Sequence, residues 1–126
     1  MYASPAVRVT VQTAPDAYPD EVELAEELTP LVQAYVQRVG VGDPRRLAEL
    51  ANPHYKGEEA EARRWIEEYR QSAGGSVTAK VASNVPYLAG VELSFSDGRR
   101  QQLSVYRADG VWGLAMGEPV REPYEP

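Results

Sequence analysis

The sequence has no cysteine, which removes a disulfide framework, a thiolate nucleophile and every cysteine-based metal site. It has a single histidine, His54, so a metal centre would have to be built from carboxylates. Neither an EF-hand loop nor a His-Glu-x-x-His spacing is present, and no metal or other cofactor is expected. Basic residues are outnumbered, 13 Lys and Arg against 19 Asp and Glu, and the net charge of −6 has the wrong sign for a phosphate-backbone binder. The pairs Arg45-Arg46 and Arg99-Arg100 are too few to make a nucleic-acid surface, so nucleic acid is excluded as a partner. Long apolar runs are missing as well. The longest, Val85 to Val91, is broken by Pro86 and Gly90 and falls short of the roughly 18 residues that a membrane helix needs. Met1-Tyr2-Ala3-Ser4-Pro5 has neither the basic start nor the apolar core of a signal peptide. No glycine-rich phosphate loop opens a helix, and the serines show no nucleophile-elbow pattern.

What is present suits one globular domain: 126 residues, 43% apolar and 25% charged. Composition divides the chain into a proline- and alanine-rich lead over 1–19, a folded body over 20–117 and a polar, flexible tail over 118–126. Pro5, Pro15 and Pro19 give the lead the composition of a linker below a membrane. The domain is therefore expected outside the cytoplasm, anchored or secreted, with Met1 standing after a removed signal or membrane anchor; a cytoplasmic location is the alternative. Within the lead, Val7, Val9 and Val11 alternate with polar residues, the pattern of an edge strand or of the end of a preceding domain.

Helical periodicity follows. Val22, Ala25, Leu28, Leu31, Val32, Tyr35, Val36 and Val39 recur at three- and four-residue spacing after a capping box at Asp20 and Glu23. Thr29-Pro30 predicts a kink, or a short lead-in helix before a main one. Asp43-Pro44 starts a second helix that ends at Asn52-Pro53. A third runs from about Glu58 to Ser72 and buries Ala62, Trp65, Ile66 and Tyr69. Period-2 alternation then takes over: Val77, Ala79, Val81 and Val85; Val91, Leu93 and Phe95; Leu103 and Val105; Val111 to Met116. Asp97-Gly98 and Asp109-Gly110 supply two hairpin turns. Three helices before a meander make an α+β domain. The last strand should carry Trp112, Leu114 and Met116 on the helix-facing side.

The passage Val39-Gly-Val-Gly-Asp-Pro44, the short helix Arg45 to Leu50 closing on Asn52-Pro53-His54-Tyr55, and the hairpin Arg107-Ala-Asp-Gly-Val-Trp112 resemble the nuclear-transport-factor-2-like (cystatin-like) superfamily. That superfamily includes ketosteroid isomerases and SnoaL-like cyclases, and the sequence is also similar to periplasm-facing domains of secretion and conjugation machines and to lipoprotein domains. The resemblance covers residues 20–117. It implies a cone-shaped α+β domain in which three N-terminal helices pack on a curved antiparallel sheet of about four strands, with a pocket between them. It does not imply an activity, because one fold hosts many.

Candidate chemistry is sparse. His54 is a candidate acid or base, against the competing reading of a loop histidine. Asp43 lies eleven residues away along a helix, about 16 Å, too far for a dyad. Isomerase chemistry asks for a carboxylate projecting into the apolar cone. Strand parity sends Glu92, Ser94 and Ser96 outward and assigns Asp97 and Asp109 to turns, so no carboxylate reaches the inner face. Tyr35, Tyr55, Trp65, Tyr69, Tyr106 and Trp112 are candidates to line a pocket or, alternatively, ordinary core with tethered hydroxyls. The acidic run from Asp16 to Glu27 reads as a solvated helix face, with a basic partner as the alternative.

The expectation is a non-catalytic binding or assembly domain, with an unknown protein partner or a small apolar ligand, as part of a lipoprotein or a secretion or conjugation apparatus. The alternative is a small SnoaL- or isomerase-like enzyme acting on a cyclic apolar molecule through His54, Tyr35 or Tyr55. The outer sheet face carries Thr78, Lys80, Glu92, Ser94, Ser96, Gln102, Ser104 and Tyr106, too polar for an obligate dimer, so a monomer or weak dimer is expected.

Overall fold

A computed structural model describes residues 9–13, 19–85 and 87–120, with the side chains of 83–85 left aside. Val7 and the side chain of Val85, both assigned to strands from sequence, lie outside the described residues, as do 121–126 of the tail. The chain order is β1 (Val9–Gln12), α1 (Pro19–Val41), α2 (Pro44–Ala48), β2 (Tyr55–Lys56) and α3 (Glu58–Tyr69). A 3-10 turn (Ser72–Gly74) follows, then β3 (Val77–Val85), β4 (Leu88–Phe95), β5 (Arg100–Ala108), β6 (Val111–Leu114) and β7 (Glu118–Pro119). Three helices pack on a strongly curled sheet that forms a half-barrel, an α+β cone.

The five-stranded sheet has the order β1-β3-β4-β5-β6. The meander β3 to β6 is antiparallel throughout, while β1 joins β3 in parallel, Val9 opposite Val77 and Gln12 opposite Lys80. Alternation identifies a strand with one buried face but carries no direction, which is why this parallel pairing is not readable from Val9 and Val11. A second, two-stranded sheet pairs β2 with β7.

α1 is one helix, not two. It begins at Pro19, one residue ahead of the expected cap, so Asp20 sits in the first turn with Glu21. Pro30 forfeits one backbone hydrogen bond, yet the buried stripe Ala25, Leu28, Val32, Tyr35, Val36 and Val39 runs straight past it. Burying each large apolar side chain contributes roughly 1.5–3 kcal/mol, enough to offset one lost bond. Thr29 meanwhile donates its hydroxyl back to the Ala25 carbonyl at 2.7 Å. α1 is closed at its far end by Arg70, whose guanidinium donates to the carbonyls of Gly40 and Val41 at 3.3 Å each.

α2 is shorter than expected. Asp43 caps it by accepting from the amides of Arg45 and Arg46, but the helix stops at Ala48. The next residues serve the sheet instead: the Leu114 amide donates to Leu50 and the Asn52 amide to Leu114, both at 2.8 Å. This pairing covers the outer edge of β6. It requires a glycine at 113, because a Cβ there would come within 2.7 Å of the Asn52 backbone. α3 ends at Tyr69, short of the predicted Ser72, which instead opens the 3-10 turn.

Strand parity agrees with the pattern of the sequence. Val77, Ala79 and Val81, then Val91, Leu93 and Phe95, then Leu103 and Val105 are buried on the concave side with Leu114 and Met116. Lys80, Ser96, Gln102 and Ser104 are exposed, and Thr78, Glu92, Ser94 and Tyr106 are half-buried. Among the described residues no helix is long and apolar enough to cross a membrane.

Candidate functional site

The concave side of the sheet is where a cone-shaped domain would hold a ligand, and here α1, α3 and β5 converge on Tyr35. The residue lies on the buried stripe of α1 and is 1% exposed. Its hydroxyl donates to Oε1 of Gln101 at 2.6 Å, and the Trp65 ring of α3 meets its ring edge-on with centroids 5.9 Å apart. Gln101 is 6% exposed and shares the inner face of β5 with Leu103 and Val105. Burial pushes the Tyr35 hydroxyl far above the ordinary phenol pKa. The Gln101 carboxamide, which could turn an N–H toward a phenolate, offsets only part of that rise. At neutral pH Tyr35 is thus a neutral hydrogen-bond donor already engaged.

A second aromatic group lies between the end of α3 and the β4–β5 turn. Tyr69 stacks on Phe95 with centroids 5.5 Å apart, and Arg99 lies 4.8 Å above the Tyr69 ring. Arg99 also donates to the Glu68 carbonyl, which holds the guanidinium over the ring. Burial raises the Tyr69 pKa, Glu68 adds to the rise and Arg99 opposes it. Beside this group Ser72, 3% exposed, donates to Oδ2 of Asp97 at 2.6 Å, and Oδ1 of Asp97 accepts the Arg99 amide at 3.0 Å. These two bonds, the serine's first, hold the Asp97 carboxyl below the usual carboxylate range.

Trp112 makes a third contact, with α1. Its indole N–H donates to Glu27 of α1 at 2.9 Å, so the ring packs on the helices as expected, but only half-buried. Arg107, its register partner on β5, places its guanidinium 6.0 Å from the ring.

Tyr55 and Tyr106 form a separate pair, with ring centroids 6.3 Å apart. Tyr106 has the opposite parity to Gln101 on β5, so this pair sits on the convex side of the sheet, away from Tyr35. Burial and the neighbouring Tyr106 raise the Tyr55 pKa. His54 adjoins them, immediately before β2 of the two-stranded sheet. It is half-buried, its amide donates to Oδ1 of Asn52 at 2.8 Å, and its carbonyl accepts from Val120 at 2.8 Å. Tyr35, Trp65 and Tyr69 thus lie within electrostatic or ring contact of one another, whereas Tyr55 and Tyr106 form a separate pair and Trp112 contacts Glu27.

Gln101 is the interior polar residue that motif reading passes over. Its signal was parity with Leu103, two residues on. Among the described residues the buried polar side chains are Asn52, Ser72 and Gln101, and none of the three titrates. Two open surface depressions are also present. One, of about 540 Å³, lies between β2, α3 and Gly117 and is lined by Lys56, Glu61, Arg64 and Glu118. The other, of about 480 Å³, lies between the end of α3 and the β4–β5 turn. Both mix charges of either sign, and neither reaches Tyr35.

No family model and no curated protein matches this chain. Among solved structures, the chain is similar to a protein from Xanthomonas campestris provisionally described as a calcium/calmodulin dependent protein kinase II association domain. Identity is 13%, the match covers 86% of this chain and 91% of the other, and the TM-score is 0.43.

Proposed function

We propose that this chain is a non-catalytic binding or assembly domain of the nuclear-transport-factor-2-like type, acting through its surface. The observation that carries the reading is the packing of interior side chains between the helices and the sheet. Tyr35 is held by Gln101 and Trp65, and Tyr69 stacks on Phe95. A proton-transfer enzyme needs an ionisable group poised near neutrality beside an apolar substrate. The one phenol at the centre is instead held neutral and hydrogen-bonded. The three groups named for an isomerase-like activity do not converge, since Tyr35 meets Gln101 on the concave side while Tyr55 meets Tyr106 on the convex side. The proline-rich lead extends the reading to a domain held outside the cytoplasm by a linker, in a lipoprotein or a secretion or conjugation apparatus.

The test is exchange of the acidic α-protons of cyclic ketones in deuterated buffer, followed by mass spectrometry. The reading expects no exchange above the buffer rate. Catalysed exchange that disappears in Tyr35→Phe would establish the enzyme reading in its place.

A further inference from the structure

Two Asp-Gly steps occur in the chain, Asp97-Gly98 and Asp109-Gly110, and both form sheet turns. An aspartyl side chain followed by glycine is prone to a specific self-reaction, because glycine offers no side chain to hinder approach to the carboxyl. The backbone nitrogen of the glycine attacks the protonated side-chain carboxyl. A nitrogen–Cγ bond forms, the amide proton is lost, and the carboxyl oxygen leaves as water. Water then reopens the five-membered imide at either carbonyl. One opening restores aspartate, and the other leaves an isoaspartyl residue whose main chain runs through Cβ. The net change is an isomerisation that needs no further reactant.

The structure separates these two sites. At Asp97 both carboxylate oxygens are engaged, by the nearly inaccessible Ser72 hydroxyl and by the Arg99 amide. At Asp109 the side chain is exposed, and it makes no hydrogen bond or ion pair among the described residues. Its backbone is in the left-handed region at φ 53°, a conformation that aspartate adopts in tight hairpin turns.

We propose that Asp109 is a site of spontaneous isoaspartyl formation in the folded protein, and that the Ser72–Asp97–Arg99 clasp protects Asp97. The extra main-chain atom would fall in the two-residue turn that sets Ala108 opposite Val111 and Arg107 opposite Trp112. The modification therefore acts on the register of β6 and on the Trp112–Glu27 contact.

The experiment ages the folded protein in mildly acidic buffer. It labels isoaspartate with an isoaspartyl methyltransferase and maps the label to the tryptic peptides 108–121, with Asp109, and 81–99, with Asp97. The label should be several-fold higher in 108–121, and Asp109→Glu should abolish it there. Ser72→Ala should raise the label in 81–99 several-fold and leave 108–121 unchanged. In denaturant the two peptides should label alike. Equal labelling in the folded protein, or a preference that persists in denaturant, would overturn the proposal.

Discussion

The Tyr35 hydroxyl reaches across 66 positions of sequence to donate a 2.6 Å hydrogen bond to the carboxamide of Gln101. The bond ties the middle of α1 to the inner face of β5, in the space where a ligand would otherwise sit. Tyr35→Phe removes the donor and leaves a buried acceptor unsatisfied, which costs about 1–3 kcal/mol. Denaturant titration should show a lower midpoint with an unchanged slope. Adding Gln101→Leu should recover part of the loss, because the orphaned acceptor goes with it. An unchanged midpoint for Tyr35→Phe would mean that the bond is not a structural one.

The same phenol sets an alkaline limit. Its folded pKa is raised above the unfolded value, so its stabilising contribution is complete below pH about 10 and is lost as pH rises further. The phenolate absorbance of Tyr35, isolated as the difference between wild type and Tyr35→Phe, should appear only as the protein unfolds. Ionisation of Tyr35 in the intact fold would contradict this.

Asp97 contributes on the acid side. Its folded pKa is depressed, chiefly by Ser72, so its contribution is present above the unfolded carboxylate pKa and fades as pH falls through the folded one. Thermal melts across the acid range should show a flatter pH dependence in Asp97→Asn and Ser72→Ala than in wild type. Parallel curves would remove Asp97 from the account.

Trp112 tests the faces of β6. A fully buried tryptophan costs about 3–5 kcal/mol on truncation to alanine. Trp112 is half-buried, so Trp112→Ala should fall at or below the low end of that range. Glu27→Gln keeps an acceptor for the indole and should change the melting temperature little. A neutral Trp112→Ala would place the ring on the wrong side of the strand.

Gly113→Ala probes the covered edge of β6. The added methyl would meet the Asn52 backbone, so the Leu50–Asn52 segment must move. Overpacking of this kind costs about 1–3 kcal/mol. Amide exchange should quicken at Asn52 and Leu114, the two donors of that pairing.

The architecture was legible where local pattern decides it. Valine alternation identified the inner face of β3 and β4, and the two Asp-Gly steps marked the turns joining β4 to β5 and β5 to β6. What pattern missed was decided by tertiary contacts. Leu50 to Asn52 read as helix until β6 took their backbone groups, and the two-residue pairing of β2 with β7 is too short to leave a period. Pro30 read as a break because a proline's local cost is visible in sequence, whereas the buried stripe that outweighs it is a property of the packed helix. The aromatic residues were all visible. Their distribution over two sides of a curled sheet was not, since it depends on where α3 and the β2–β7 pair dock. Gln101 lay in a run of polar residues, Arg100-Gln101-Gln102, and its partner is far away in sequence.

The central claim, a cone filled by its own side chains, is tested most directly by amide NMR during titration with a rigid cyclic apolar ligand such as a steroid. The filled cone predicts no saturable shifts at Leu93, Gln101, Leu103 or Val105, the residues facing Tyr35 and the helices from the inner face of the sheet. Saturable shifts at those four amides, reduced in a Trp65→Ala variant, would show an accessible interior and contradict the account.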